Sequence, residues 1–502
     1  MHTSVRMVLV ALAVAVAMPF LPGASPVVSA SDEVQLQLAD LLFADGRYVE
    51  ALEAYRLVKS SPDTARHARG LTGVVKSLLR LGDFQPALHE ATELRTLTPR
   101  EPEAIALHGD SLWAAGLFEE SDDAYDDALT ISPDLPRARH GVGRSLAAQS
   151  RLDAASGEVL AALKSAPEEG EYHYTLGSIY ERQRRFDDAA AEMLNYVNLL
   201  PNKDFSDKAA WAKAQVRFLR SFAGRKPFEM EHADDIHVVP FRLVRDKVMV
   251  EGRINGGRPI DFVLDTGAEQ TVLSLPVARR AGVVPVTYVR SAGVGELGIR
   301  GLQIGRLDSL EVGRLKVKNL TVLIKNPPLT GMPTNETEGF SPLALGLSMI
   351  VDYARRQLIM AKRLPESEYD TRLPLRMHRL AMVRGTLNGE HPASFVVDTG
   401  GEVISISQSA AGLLDWDPVR RRIPLKVYGS SGWDPDAFLL PGVDLQFASI
   451  RFSNIPVVVL NLRVPSVLLG FEVGGIVGHR FLKDYRVAID LDKSEVRLKA
   501  LE

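Results

Sequence analysis

No cysteine occurs anywhere in the 502 residues. That one absence excludes thiol nucleophiles, disulfide staples and cysteine-ligated zinc. Charge of one sign is not in excess either: the formal net charge is −4 at pH 7, with a pI near 6.3. Nucleic acid is therefore not expected as a partner, and short basic runs such as Arg420-Arg421-Arg422 read as solvated faces. Long apolar runs are missing beyond the first thirty residues, so no membrane span is expected in the mature chain. What remains is ordinary for a globular protein: 46% hydrophobic and 24% charged residues, and enough length for two or three domains with real cores.

The N-terminus is the exception. "MHTSVRMVLVALAVAVAMPF" has an early Arg6 and an apolar run from Met7 to Met18, ended by Pro19 and Pro22. Small residues at Ser29 and Ala30 complete the layout of a cleavable export signal over residues 1–30. The apolar run is short for a bilayer span, which takes about 20 residues. Without cysteine there is no lipoprotein anchor. The expected destination is the periplasm behind an outer membrane, or the exterior.

Residues 31–222 read as a repeat array. Pro62, Pro99, Pro133, Pro167 and Pro201 are spaced by 37, 34, 34 and 34 residues. Gly82, Gly116 and Ser150 stand seventeen residues before three of these prolines, and Gly46 stands near the matching place in the first unit. Tyr48, Phe84, Phe118, Leu152 and Phe186 follow the turn positions, and small residues recur at Ala87, Ser121, Ala155 and Ala189. This pattern resembles the tetratricopeptide repeat, in which each unit is a helical hairpin that buries its apolar face only by stacking on its neighbours. Such a solenoid binds partners, so a protein partner is expected there and the chemistry is expected downstream.

Residues 223–236 read as a polar linker ("GRKPFEMEHADD"). The helical period then gives way to short β-rich runs such as "VMVEGRI", "FVVD" and "IPVVVL". The expected fold is multidomain: an all-α solenoid followed by a mainly β, bilobal unit with lobes over 237–363 and 364–502.

The lobes follow from an echo. "FVLDTGAEQTVLS" (Phe262–Ser274) returns as "FVVDTGGEVISIS" (Phe395–Ser407), and Met249–Ser274 matches Met382–Ser407 at 13 of 26 positions without a gap. A second match sets Leu343–Tyr353 on Gly475–Tyr485, sharing Gly346/Gly478 and an Asp-Tyr pair. A lone carboxylate behind an apolar strand is costly to bury. Two such turns facing each other bring two carboxyl groups together, and like charges that close share one proton. The pair then acts as base and acid on a single water.

At these residues the chain resembles the aspartic proteases, and in particular the retropepsin-like family of bacteria. The resemblance covers about half of the chain. It implies Asp265 and Asp398 as the catalytic dyad, Thr266 and Thr399 as a clamp between lobes, and Gly267 and Gly400 completing the turns. It also implies that Gly346 and Gly478 support the dyad from beneath, and that both lobes pair within one chain. Glycine-bearing stretches at Ser291–Gly301 (Gly293, Gly295) and Tyr428–Pro435 (Gly429, Gly432) are candidates for flaps that close over substrate. No cofactor or metal is implied, since no His or further carboxylate stands near the dyad at ligand spacing. The sequence departs from the pepsin-like pattern after each triplet, where Ala268 and Gly401 replace a hydroxyl residue. The expected function is an exported aspartic endopeptidase acting on protein or peptide. The alternative is a peptide-binding protein that keeps the fold without the activity.

Overall fold

The computed structural model describes residues 28–201, 204, 206–222, 224–292, 299–325, 338–415, 422–429 and 432–501. Most of the expected export signal, and the proposed flap tip at Gly293 and Gly295, lie outside the described residues.

Among the described residues, eleven helices between Val28 and Arg220 form the solenoid. Its 34-residue period has a physical cause at each landmark. The turn inside a hairpin needs a left-handed residue, and Gly82 and Gly116 supply φ of 73° and 78°. Ser150 and Arg184 occupy the same place in the next two repeats with φ of 59° and 64°. A side chain there costs about 1 kcal/mol. Four of the five prolines stand two residues past a helix end, as Pro133 does after Phe118–Ile131, and Pro62 stands three past Lys59. Close packing uses the small residues: a Cβ on Gly109 or Gly141 would come within 2.7 or 2.3 Å of the Tyr125 ring.

The β-rich half contains two closed six-stranded barrels. In the first, the order is Leu315–Lys325, Thr271–Ser274, Glu338–Phe340, Ile260–Leu264, Lys247–Ile254 and Ile299–Val312, which pairs back with the first strand. The second repeats that order with Ile450–Leu460, Ile404–Ser407, Gly475–Val477, His391–Val397, Leu380–Leu387 and Phe438–Phe447. Matching Asn-Gly turns open the two barrels, with positive φ at Asn255, Gly256, Asn388 and Gly389 and closing bonds from Gly257 N–H to Ile254 O and from Glu390 N–H to Leu387 O. A third sheet joins the lobes. Its central strands, Ser348–Asp352 and Tyr485–Asp490, run antiparallel with Met349 opposite Ile489 and Val351 opposite Val487. Each lobe contributes three of its six strands, so a pseudo-two-fold axis passes between the central pair.

Two sequence readings change here. The stretch read as a linker is partly structural: Glu229–Glu231 pairs with Leu315–Lys325 as an edge strand of the first barrel. The ungapped match of Gly346 with Gly478 is also replaced. The backbone N–H of Asp265 donates to Phe340 O and that of Asp398 to Val477 O, so Ser341, not Gly346, occupies the place of Gly478. The two lobes drift out of their 133-residue offset because the connection behind the second turn is longer.

The solenoid is packed against both lobes rather than standing apart. Trp113, Phe118 and Ala148 share one apolar cluster with Met382, Val396 and Phe471. The Phe118 and Phe471 rings meet edge-on at 5.2 Å. Around that seam, buried Arg376 bonds Asp122 at 2.7 Å and Ser145 Oγ at 2.9 Å. Ser394 Oγ donates to Gly116 O at 2.5 Å, and Glu472 N–H donates to Ala114 O at 2.8 Å. The strained turn residue Arg184 reaches Ala344 O and lies over the Phe228 ring at 3.8 Å. Among the described residues, no helix is long and apolar enough to cross a membrane.

Candidate active site

Each Asp-Thr-Gly turn follows the apolar end of a barrel strand, Ile260–Leu264 in one lobe and His391–Val397 in the other. A parallel neighbour fixes the depth of each turn, pairing Leu264 with Phe340 and Val397 with Val477. The turns meet across the pseudo-two-fold axis through their threonines. Thr266 Oγ1 donates to Val397 O at 2.6 Å and accepts from Thr399 N–H at 3.0 Å. Thr399 Oγ1 donates to Leu264 O at 2.7 Å and accepts from Thr266 N–H at 3.2 Å. Both hydroxyls are buried, so all four bonds are sheltered from water.

The glycines are needed for closeness, not for a special φ. A Cβ on Gly267 would come within 2.5 Å of the Asp398 carboxyl, and one on Gly400 within 2.8 Å of the Asp265 carboxyl. Each turn is thus shaped around the other lobe's acid. The two carboxyl groups hydrogen-bond to each other and are surrounded by protein, yet both keep some exposed surface because they face a cavity.

Burial, then the neighbouring Asp398 charge, pushes Asp265 up to about 7. Asp398 is also raised by burial, but the N–H groups of Gly400, Gly401 and Gly267 oppose the rise. The Gly400 N–H bond is 2.8 Å long. Burial raises both acids and each feels the other, so the pair holds one proton in common. Lys325 is close enough to favour the ionised form of Asp265.

Gly478 lies against the second turn, where a Cβ would meet Val403 O at 2.7 Å and Gly401 O at 2.8 Å. Gly346 does not lie against the first. It ends a short 3-10 turn with φ of 70°, and a Cβ there would meet Arg184 at 3.6 Å. Gly429 and Gly432 pair across a hairpin of the second lobe, and Gly429 lines the cavity. The comparable hairpin of the first lobe pairs Ala292 with Ile299, and its tip is outside the described residues. No group of three or more His, Asp or Glu side chains able to hold a metal occurs among the described residues.

Comparison with known families agrees with this geometry. Residues 250–348 and 383–473 match the model described as aspartyl protease, and the two segments begin 133 residues apart, the offset of Asp265 from Asp398. The β-rich half is an aspartyl protease domain. Residues 75–136 and 143–203 match tetratricopeptide repeats. Similar solved structures include a thermophilic TPR protein of Thermus thermophilus, 24% identical, covering 36% of this chain and 98% of that one at a TM-score of 0.30. A MamA protein of Desulfovibrio magneticus is 20% identical, with 34% and 97% coverage and a TM-score of 0.25. Likenesses at this level add nothing about the site. No curated protein gives a significant match.

The protease domain's cavity, about 1260 Å³, holds residues the sequence did not single out. Arg379 of the second lobe makes two bonds to Glu269, four residues after Asp265, at 2.9 and 2.8 Å. Its near-mirror, Lys247 to Glu402, is a looser contact of 4.0 Å. Tyr174, Glu181 and Trp211 line the cavity from the solenoid side. Nothing repeats at Arg379 or Trp211, so periodicity gave no signal for either.

Proposed function

We propose that this protein is an exported aspartic endopeptidase, hydrolysing peptide bonds with a water held between Asp265 and Asp398. The reciprocal fit of the two turns carries the reading: each glycine abuts the opposite acid, so the pair is held for use in common. Asp398, ionised, takes a proton from the water as its oxygen attacks the peptide carbonyl carbon. Asp265 gives its proton to the carbonyl oxygen, leaving a neutral tetrahedral diol. Asp398 then protonates the leaving nitrogen as the C–N bond breaks, and Asp265 recovers a proton from a diol hydroxyl. The dyad ends as it began.

Both acids come from one chain, which supports a monomer as the active unit. Export rests on the layout of residues 1–30 and is checked by N-terminal sequencing of protein from the extracytoplasmic fraction. A protein partner on the solenoid is supported by Val34 and Leu41, two exposed apolar residues of its first described helix.

Hydrolysis of a mixed peptide library by the mature protein is the deciding assay. Asp265→Asn and Asp398→Asn are expected to lower the rate by roughly 10²- to 10⁴-fold with the fold retained. Equal rates in the wild type and both variants overturn the proposal.

A further inference from the structure

A solenoid that only recruited substrate would leave the cleft open. Here the same cavity is lined by Asp265 and Asp398 on one side and by Tyr174 and Trp211 of the solenoid on the other. Trp211 lies on the last described helix of the solenoid, Asp207–Arg220, and Tyr174 on Gly170–Arg182. Their rings are 5.8 Å apart, and both side chains are half-buried, keeping a face toward the cavity.

Both rings are held in place by charged and aromatic neighbours. Arg379, clamped on Glu269, lies 5.3 Å from the centre of the Trp211 ring. Lys208 stands 4.1 Å over the Tyr174 ring, and Tyr196 meets that ring at 5.2 Å. Each of these contacts takes part of a ring and fixes it, and what remains of both side chains lines the cavity. A continuous path of contacts therefore runs from the dyad turn through Glu269 and Arg379 to this pair of rings. Apolar Leu380 and Leu468 of the second lobe line the cavity as well.

We infer that Tyr174 and Trp211 form a substrate subsite built by the solenoid. It would take an aromatic or large aliphatic side chain of an extended peptide whose scissile bond lies at the dyad. The solenoid then sets specificity as a wall of the cleft. This rests on the peptidase reading for its cleavage readout but not for its binding readout. An apolar pocket discriminates by about 10- to 200-fold per missing methylene, so a lost ring face has a measurable consequence.

The test uses the full mature chain and one octapeptide sequence carrying Phe, Leu or Ala at each position in turn. kcat/KM is measured for hydrolysis, and Kd for binding to the Asp265→Asn variant. The wild type is expected to prefer Phe or Leu over Ala at one position. Trp211→Ala and Tyr174→Ala are expected to shrink that ratio by about tenfold, and Trp211→Phe to restore most of it. A merely structural role lowers all peptides alike and leaves the ratio unchanged, which overturns the subsite. No preference at any position in the wild type overturns it too. Preferential binding that Trp211→Ala abolishes, with no hydrolysis of any peptide, sustains the subsite and sinks the peptidase reading instead.

Discussion

Gly267 of the first lobe lies so close to Asp398 of the second that a Cβ would approach the carboxyl carbon to 2.5 Å. The position tolerates no side chain while the dyad keeps its geometry. Gly267→Ala must push the Asp398 carboxyl or its own turn aside, and overpacking of this kind costs about 1–3 kcal/mol. A displacement near 1 Å at a reacting group costs on the order of 10²-fold in rate. The expected outcome is a lowered Tm with a much larger loss of kcat. Unchanged kcat in Gly267→Ala removes the reciprocal fit as the basis of the site.

The threonine clamp is tested by removing hydroxyls while keeping shape. Thr266→Val leaves Val397 O and Thr399 N–H without their partner in a buried place, an expected loss of about 1–3 kcal/mol. Thr399→Val does the same to Leu264 O and Thr266 N–H. Because the two residues form one network, the double variant is expected to lose less than the sum of the single losses. Denaturant unfolding of the four proteins measures this, and strict additivity counts against a shared clamp.

How much of this was legible beforehand depends on how local the signal is. The Asp-Thr-Gly turns, their apolar strands and the Asn-Gly turns are each written within a few residues, so the echo exposed them. The support of the first turn was misread because an ungapped match followed Gly346. The ladder instead aligns Phe340 with Val477 and puts Ser341 opposite Gly478. Strand register answers to pairing partners, which a linear match does not contain. The solenoid's embrace of the cleft was hidden for a related reason. The 34-residue period encodes hairpin stacking, whereas Trp113, Arg379 and Trp211 each act once, at a contact between distant segments.

The junction predicts cooperative unfolding. Arg376 is 8% exposed and its guanidinium bonds Asp122 and Ser145 of the solenoid, with Glu119 at 3.6 Å. Asp122 is partly exposed, so losing this charged hydrogen bond costs about 1.5–3 kcal/mol. Asp122→Ala is therefore expected to destabilise the solenoid and the barrels together, lowering a single calorimetric transition. Two well-separated transitions in the wild type, with only one moved by the substitution, would falsify the integrated junction.

The two cross-lobe ion pairs make an internal control. Glu269 is 34% exposed and bonded twice to Arg379, while Glu402 is 69% exposed and only 4.0 Å from Lys247. Glu269→Gln is expected to cost about 1.5–3 kcal/mol, the range for hydrogen bonds to a charged group, and to slow peptide hydrolysis through the adjoining turn. Glu402→Gln is expected to stay within about 0.5 kcal/mol of wild type. Equal effects at both positions contradict the asymmetry.

The last prediction concerns pH. Asp265 is raised in the folded chain to about 7, first by burial and then by Asp398. A raised carboxyl binds its proton more tightly when folded than when unfolded, where its pKa is about 3.9. Its contribution is therefore complete below the unfolded value and is lost as pH rises toward 7. Stability from this group falls across that window, and Asp265→Asn is expected to flatten the fall. Activity needs the same proton, so the rate should decline as pH rises through the upper pKa of the pair. Neither residue after the triplets carries a hydroxyl that could donate to the ionised acid. Ala268→Ser supplies one beside Asp265 without adding a new Cβ. A serine at Gly401 is different, because its Cβ would come within 2.8 Å of an Asp398 carboxyl oxygen, so steric displacement would mask the electrostatic effect. Ala268→Ser alone is thus the clean variant. A new bond to the ionised form, worth about 1.4 kcal/mol, lowers a pKa by about one unit. The upper limb of the kcat/KM profile should move to lower pH by that amount, with the lower limb moving less. An upper limb that stays in place shows that the residue after the triplet does not set the dyad's hold on its proton.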